Sequence, residues 1–249
     1  MSLQGKAAFI TGAGGFLGSG CARKLAALGA KVALCDLNEK TVEKVAREIR
    51  AAGGKAWTYT ADVTESVSID MAIEAAAEVM CGLDILIHAA GGSARSKMKP
   101  LIQQKDEVIL QVIKVNLLGA LYTSRAAGRI MVAQGKGGRI LNFASTVGVN
   151  GLRGCVEYAA AKGGIMAMTK SLAKELAPYQ ITVNCVAPGI VQRPGEDNEA
   201  VKTNFLGRKC TDADVAALVA FMVSEESGFI TGQTYIIDGG RSLAMKGSD

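Results

Sequence analysis

The chain has 249 residues, 49% hydrophobic and 20% charged, so a sizeable core is available and disorder is not expected. Lys and Arg number 28 against 23 Asp and Glu, a net charge of +5 without a long basic block, which argues against nucleic acid as a partner. The one histidine, His88, cannot build a His-rich metal site or an HExxH protease, and six scattered cysteines without a CxxC pair read as reduced thiols of a cytoplasmic protein.

The opening MSLQGKAAFITG has no secretory-leader pattern, and no apolar run approaches the ~20 residues of a membrane span. From there, strand-like and helix-like segments alternate. Residues 7–11 are a short apolar strand, followed by a glycine-rich turn and a helix reaching residue 28. Strand 31–36 precedes helix 38–52, which carries Val42, Val45, Ala46 and Ile49 on one face. Strand 56–60, helix 65–79 and strand 83–88 come next, and 105–134 reads as one long helix. Strand 139–143, helix 157–177, strand 181–186, helix 212–224 and strand 234–237 complete the series. Near-continuous Val/Ile/Leu/Ala strands are what a sheet covered on both faces requires. The alternation predicts an α/β single domain over 1–249, a doubly wound parallel sheet of about seven strands with helices on both faces. Ligands of such sheets bind beyond the carboxyl ends of the strands, so loops 92–100 and 192–209 are placed to border a site.

Two constellations carry chemistry. The turn after the first strand reads Thr11-Gly12-Ala13-Gly14-Gly15-Phe16-Leu17-Gly18. Missing side chains there let backbone approach a pyrophosphate, and the helix start offers free N–H groups and positive potential. Asp36, 24 residues beyond Gly12 at the end of the second strand, can accept from adenosine ribose hydroxyls and would repel a 2′-phosphate. With no Arg at Gly15 or Leu37 to bind that phosphate, NAD is favoured over NADP. Downstream, Tyr158 and Lys162 stand at i and i+4 on one helix face. A free phenol has a pKa of about 10, and acid/base work near pH 7 asks for a fall of roughly 3 units, or about 4 kcal/mol. One ammonium at about 4 Å supplies roughly that at an effective dielectric near 20.

With these motifs in place, the chain resembles a short-chain dehydrogenase/reductase over nearly its full length. The matching residues are Thr11–Gly18, Asp36, Asp62-Val63, the segment 84–91, Asn116, Ser145, Tyr158/Lys162, Pro188-Gly189 and the late Thr231-Gly232 and Asp238-Gly239-Gly240. The resemblance implies a Rossmann-type fold and hydride transfer between NAD(H) and a secondary alcohol or ketone carbon, without a metal. Tyr158 would be the general acid/base, Ser145 would orient and polarise the substrate oxygen, and Lys162 would also hold the nicotinamide ribose. Asn116 would anchor a water linking Lys162 to solvent. Gly12, Gly14, Gly15, Phe16, Leu17, Ala89, Asp62, Val63 and Val191 complete the expected cofactor contacts. The long helices near 105 and 157 would pair copies into a homo-oligomer, a dimer or homotetramer.

Three departures stand out. Phe16 occupies a place where family members of this length usually have glycine, and the Gly12-x-x-Gly15-x-x-Gly18 spacing resembles the longer epimerase branch. His88-Ala89-Ala90-Gly91 replaces an Asn-Asn-Ala-Gly turn, and Arg193 stands where a Thr often contacts the carboxamide. An NAD-using epimerase or dehydratase and a non-catalytic NAD-binding regulatory protein therefore remain as alternative functions. Arg95, Arg153 and Arg193 gather on the expected rim, and guanidinium groups pair bidentately with carboxylate, sulfonate or phosphate, so the small polar substrate is one that could carry such a group.

Overall fold

The computed structural model describes residues 1–93, 95–193, 195 and 204–243, of Arg95 the backbone alone. Among these, seven strands form one sheet in the order β3-β2-β1-β4-β5-β6-β7, and every neighbouring pair is parallel. The strands are β1 (Ala7–Thr11), β2 (Lys31–Asp36), β3 (Lys55–Thr60), β4 (Ile85–His88), β5 (Gly138–Phe143), β6 (Ile181–Pro188) and β7 (Thr234–Ile237). The helices are α1 (Phe16–Ala27), α2 (Glu39–Ala51), α3 (Ser66–Met80), α4 (Asp106–Ile113), α5 (Gly119–Gln134), α6 (Val147–Asn150), α7 (Val156–Leu176) and α8 (Asp212–Met222).

Every residue of β1 and β6 is buried, the two-sided burial that their unbroken apolar runs require. On one face, Leu25 of α1, Val42 and Ile49 of α2, and Val219 of α8 pack with Ile10, Leu34 and Val186. On the other, Ile73 of α3, Ala127 and Met131 of α5, and Ala173 of α7 pack with Phe9, Leu86 and Val183. Local caps set helix starts. Asn38 Oδ1 accepts the Thr41 N–H at 3.3 Å to open α2. Thr211 and Asp214 cap α8 reciprocally, at 3.2 Å and 2.8 Å. Each such cap is worth about 1 kcal/mol.

The expected helix 105–134 is not uniform. A π turn, Lys114–Leu118, separates α4 from α5. There Asn116 Nδ2 donates to Val112 O at 2.9 Å, competing for the carbonyl that the α-helical backbone would use. Strand β4 starts at Ile85, later than its apolar run suggested, because Gln134 takes both backbone groups of Leu83 (2.7 and 2.9 Å). The short α6 had no sequence signal.

Strand β1 lies between β2 and β4, so the connections leaving β1 and β4 turn to opposite sides of the sheet. A crevice opens there, at the carboxyl ends of the strands. It is lined from Gly12, Asp36 and Ala61 across to Ser145, Pro188 and Asp238, and encloses about 1290 Å³.

Candidate active site

At one end of the crevice the chain leaves β1 through Gly12, whose φ of +63° favours glycine. A β-carbon on Gly12 would lie 2.7 Å from Ala90 N, so the two loops that leave β1 and β4 touch only because it is absent. Gly15 caps α1 without a side chain, leaving the first-turn N–H groups facing the cleft beside Phe16 and Leu17. Gly14, expected among the cofactor contacts, is not part of the lining. Its N–H donates to Asp36 Oδ2 at 2.9 Å, and its Cα packs against Thr41. Asp36 Oδ1 accepts from Asn38 N at 3.1 Å. A carboxylate has about four acceptor sites, so both oxygens keep capacity for a sugar hydroxyl. Asp62, fixed by the N–H and hydroxyl of Thr64 (both 2.8 Å), forms the neighbouring wall with Val63, and Ala89 lies opposite. These residues fit an adenine dinucleotide: a side-chain-free turn at a helix start for the phosphates, and a carboxylate at the end of β2 for the ribose.

His88 is fully buried and lies outside the cleft lining. Ala90 N donates to Thr11 Oγ1 at 3.2 Å, and Thr11 Oγ1 lies 3.1 Å from His88 Nδ1. Burial first, and the Lys162 charge second, push the imidazole down to about 3, so it is neutral near pH 7. His88 thus braces the strand ends from below.

The reactive end is built by β5, α6 and α7. Ser145 follows β5, and its Oγ accepts the Val147 N–H at 3.2 Å. Gly148 of α6 presses against the Lys162 backbone, where a β-carbon would come within 2.7 Å. That contact fixes the Ser145 turn against α7. Tyr158 and Ser145 are half-buried and line the cleft. Lys162 is 3% exposed, with Nζ donating to Phe143 O at 2.7 Å and standing 5.6 Å from the centre of the Tyr158 ring. Burial lowers its ammonium to about 8. Asn116 is buried in the π turn. Its Nδ2 also donates to Gly92 O at 2.9 Å, and its Oδ1 accepts from Gly92 N at 3.1 Å. A β-carbon on Gly91 would lie 2.5 Å from Asn116 Oδ1 and 3.3 Å from Lys162 Nζ, so this bare Cα separates the two groups.

Val191 and Arg193 line the cleft. Arg153 does not: it is exposed, within the turn whose Leu152 and Cys155 line the cleft. The Arg95 side chain lies outside the described residues, as does most of the 194–203 part of the expected substrate loop. The sequence reading gave Asp238 no role at the site and missed Arg241 and Ser242; the three close the far wall. Asp238 builds that wall by accepting the N–H groups of Gly240 (2.9 Å) and Ser242 (2.7 Å). The Asp-Gly-Gly run was its available signal.

Comparison with known proteins agrees with this geometry. A family profile described as enoyl-(acyl carrier protein) reductase matches residues 12–242. The short-chain reductase protein NovJ of Streptomyces niveus is 37% identical, over 96% of this chain and 94% of its own length. Galactitol 2-dehydrogenase of Agrobacterium fabrum is 34% identical, over 98% and 100%. The solved structure of a short-chain type dehydrogenase/reductase from Mycobacterium ulcerans superposes with a TM-score of 0.93 at 27% identity, over 98% of this chain and 92% of that one. Likeness that runs from the glycine turn to the turn after the last strand, in sequence and in shape alike, shows that the chain belongs to the short-chain dehydrogenase/reductase family.

Proposed function

We propose that this oxidoreductase is an NAD-dependent alcohol dehydrogenase and ketone reductase, with Tyr158 as general acid/base and a small polar secondary alcohol or ketone as substrate. The observation that carries the reading is the stacking at the reactive end: Tyr158 and Ser145 face the cleft while Lys162 lies buried beneath the phenol. Lys162 keeps its proton near pH 7 and so favours the phenolate, the form that removes a proton from an alcohol. Ser145 Oγ still has its own proton to donate to the substrate oxygen, because among the described residues it is bonded as an acceptor. Bound NAD(H) supplies or takes up the hydride.

Asp36 supports NAD over NADP, since a phosphate on the ribose would meet its carboxylate. Galactitol 2-dehydrogenase, by its name, oxidises a secondary alcohol of a polyol, which favours a polar substrate here. Arg193 extends that preference to substrates bearing a carboxylate, sulfonate or phosphate.

The test is NADH absorbance over a panel of hydroxy compounds, each anionic member paired with a neutral analogue. Turnover with NAD at least tenfold above NADP is expected. Tyr158→Phe should cost 10²–10⁴-fold in kcat, the usual worth of a positioned acid/base. Unchanged kcat in that variant would remove the reading. Arg193→Ala should weaken anionic substrates only; equal losses for both members of a pair would refute its role.

A further inference from the structure

Glu157 immediately precedes Tyr158, yet it is 5% exposed. Burying a carboxylate is costly unless partners satisfy it. Its partner among the described residues is one amide: Gln104 Nε2 donates to Glu157 Oε1 at 3.1 Å, and Oε2 has no hydrogen-bond partner there. Gln104 uses both amide protons and its carbonyl. Its Nε2 also donates to Lys97 O at 3.1 Å, and its Oε1 accepts the Lys105 N–H at 3.1 Å. Lys97 ends the 3-10 turn Arg95–Lys97, and its neighbours Ser96 and Met98 line the cleft. From the other side, Gly154 approaches the same segment, its β-carbon position lying 3.8 Å from the Lys99 backbone and from Met98 Cε. The wall formed by Ser96, Met98, Leu152 and Cys155 therefore hangs on Gln104, and Gln104 hangs on the residue beside the reactive phenol.

We propose that Glu157 and Gln104 are a positioning pair that ties the 96–98 segment to the catalytic helix and so limits the size of alcohol admitted beside Tyr158. The size limit rests on the dehydrogenase reading; the tie itself does not. Neither side chain lines the cleft, so the pair acts through the wall: its loss changes KM and leaves the chemistry at Tyr158 in place.

Three variants test this. Glu157→Gln keeps the acceptor and should match wild type within twofold. Glu157→Leu keeps volume without an acceptor, and Gln104→Glu keeps shape without the donors. Each should raise KM for a compact substrate such as butane-2,3-diol about tenfold, narrow the discrimination against cyclohexanol, and hold kcat and NADH affinity within twofold. The double variant Gln104→Glu/Glu157→Leu should be no worse than either single, because both remove the same tie. Hydrogen exchange read by mass spectrometry on the NADH-loaded protein gives a measure independent of turnover: amides 95–99 should exchange at least fivefold faster in both disrupted variants, with amides 12–18 unchanged. Unchanged exchange at 95–99, a fall in kcat without a rise in KM, or additive losses in the double variant would overturn the pair. Wild-type protein that reduces no NAD with any alcohol, alongside the faster exchange, would instead refute the dehydrogenase reading and leave the tie standing.

Discussion

Lys162 sets a stability cost against a catalytic use. Its pKa falls from 10.5 to about 8 because a charged amine is held where water cannot reach it. A shift of that size corresponds to about 3 kcal/mol at most, and the Phe143 carbonyl it satisfies offsets about 1 kcal/mol of that. Lys162→Met should therefore lose at least 10²-fold in kcat while raising the midpoint of thermal unfolding at pH 7 by a few degrees. The pH dependence has a definite sign. Between about pH 8 and 10.5 the unfolded chain holds more protons at this position, so wild type gains stability as pH rises and the variant's advantage shrinks. Midpoints measured from pH 7 to 10.5 check both parts; a variant less stable than wild type at pH 7 would contradict the burial argument.

His88 shows the same physics at the acid end. With a pKa pushed from 6.5 to about 3, the folded protein refuses a proton that the unfolded chain accepts. Stability should fall as pH drops from about 6.5 towards 3, with a slope of up to about 1.4 kcal/mol per pH unit from this residue. His88→Asn, which has no such titration, should remove that part of the slope while keeping a partner for Thr11. Urea unfolding at pH 7, 6, 5 and 4 separates the two proteins; parallel curves would mean that His88 is not the source.

Among the elements, the π turn is the least expected and the most consequential. Asn116 competes with the backbone for Val112 O and reaches out of the helix to both backbone groups of Gly92. Asn116→Leu should therefore restore regular helix through 114–118 and release the loop after β4 together. Its expected cost is 10–100-fold in kcat/KM with the thermal midpoint lowered by only a few degrees, since three hydrogen bonds of about 1 kcal/mol each are partly replaced by one helical bond. Unchanged kcat/KM would show that the Gly92 anchor has no bearing on the reaction.

Most strands were legible as bounded apolar runs, and β1, β2 and β7 match their sequence boundaries to the residue. The π turn was not, because propensity is a property of residue type, whereas the competition at Val112 O depends on where Gly92 lies in space. The same limit applied to the basic rim. Arg153 and Arg193 read alike in sequence and both are exposed, yet Arg193 lines the cleft and Arg153 does not. Asp238 went unassigned because its task, gathering two N–H groups of its own turn, needs the folded turn to be seen.

At the scale of the whole molecule, the crevice gathers loops from β1, β2, β3, β4, β5 and β6 and the turn after β7, so anything that fills it links segments otherwise joined only through the sheet. A ligand that binds the folded form alone adds RT ln(1 + [L]/Kd), about 2.7 kcal/mol at 100-fold excess over Kd. For a chain of this length each kcal/mol moves the thermal midpoint by about 2–4 °C, so saturating NADH should raise it by roughly 5–11 °C. Tyr158→Phe should keep that rise, since it removes a proton donor and leaves the dinucleotide turn intact. Asp36→Ala should lose much of it with NADH, because the carboxylate that braces Gly14 disappears along with the ribose partner. NADPH should give wild type a clearly smaller rise than NADH at equal concentration. Thermal melts of the three proteins with each nucleotide decide the matter without turnover: equal rises with NADH and NADPH in wild type would remove Asp36 as the selector, and no rise with either would mean that the crevice does not hold a dinucleotide.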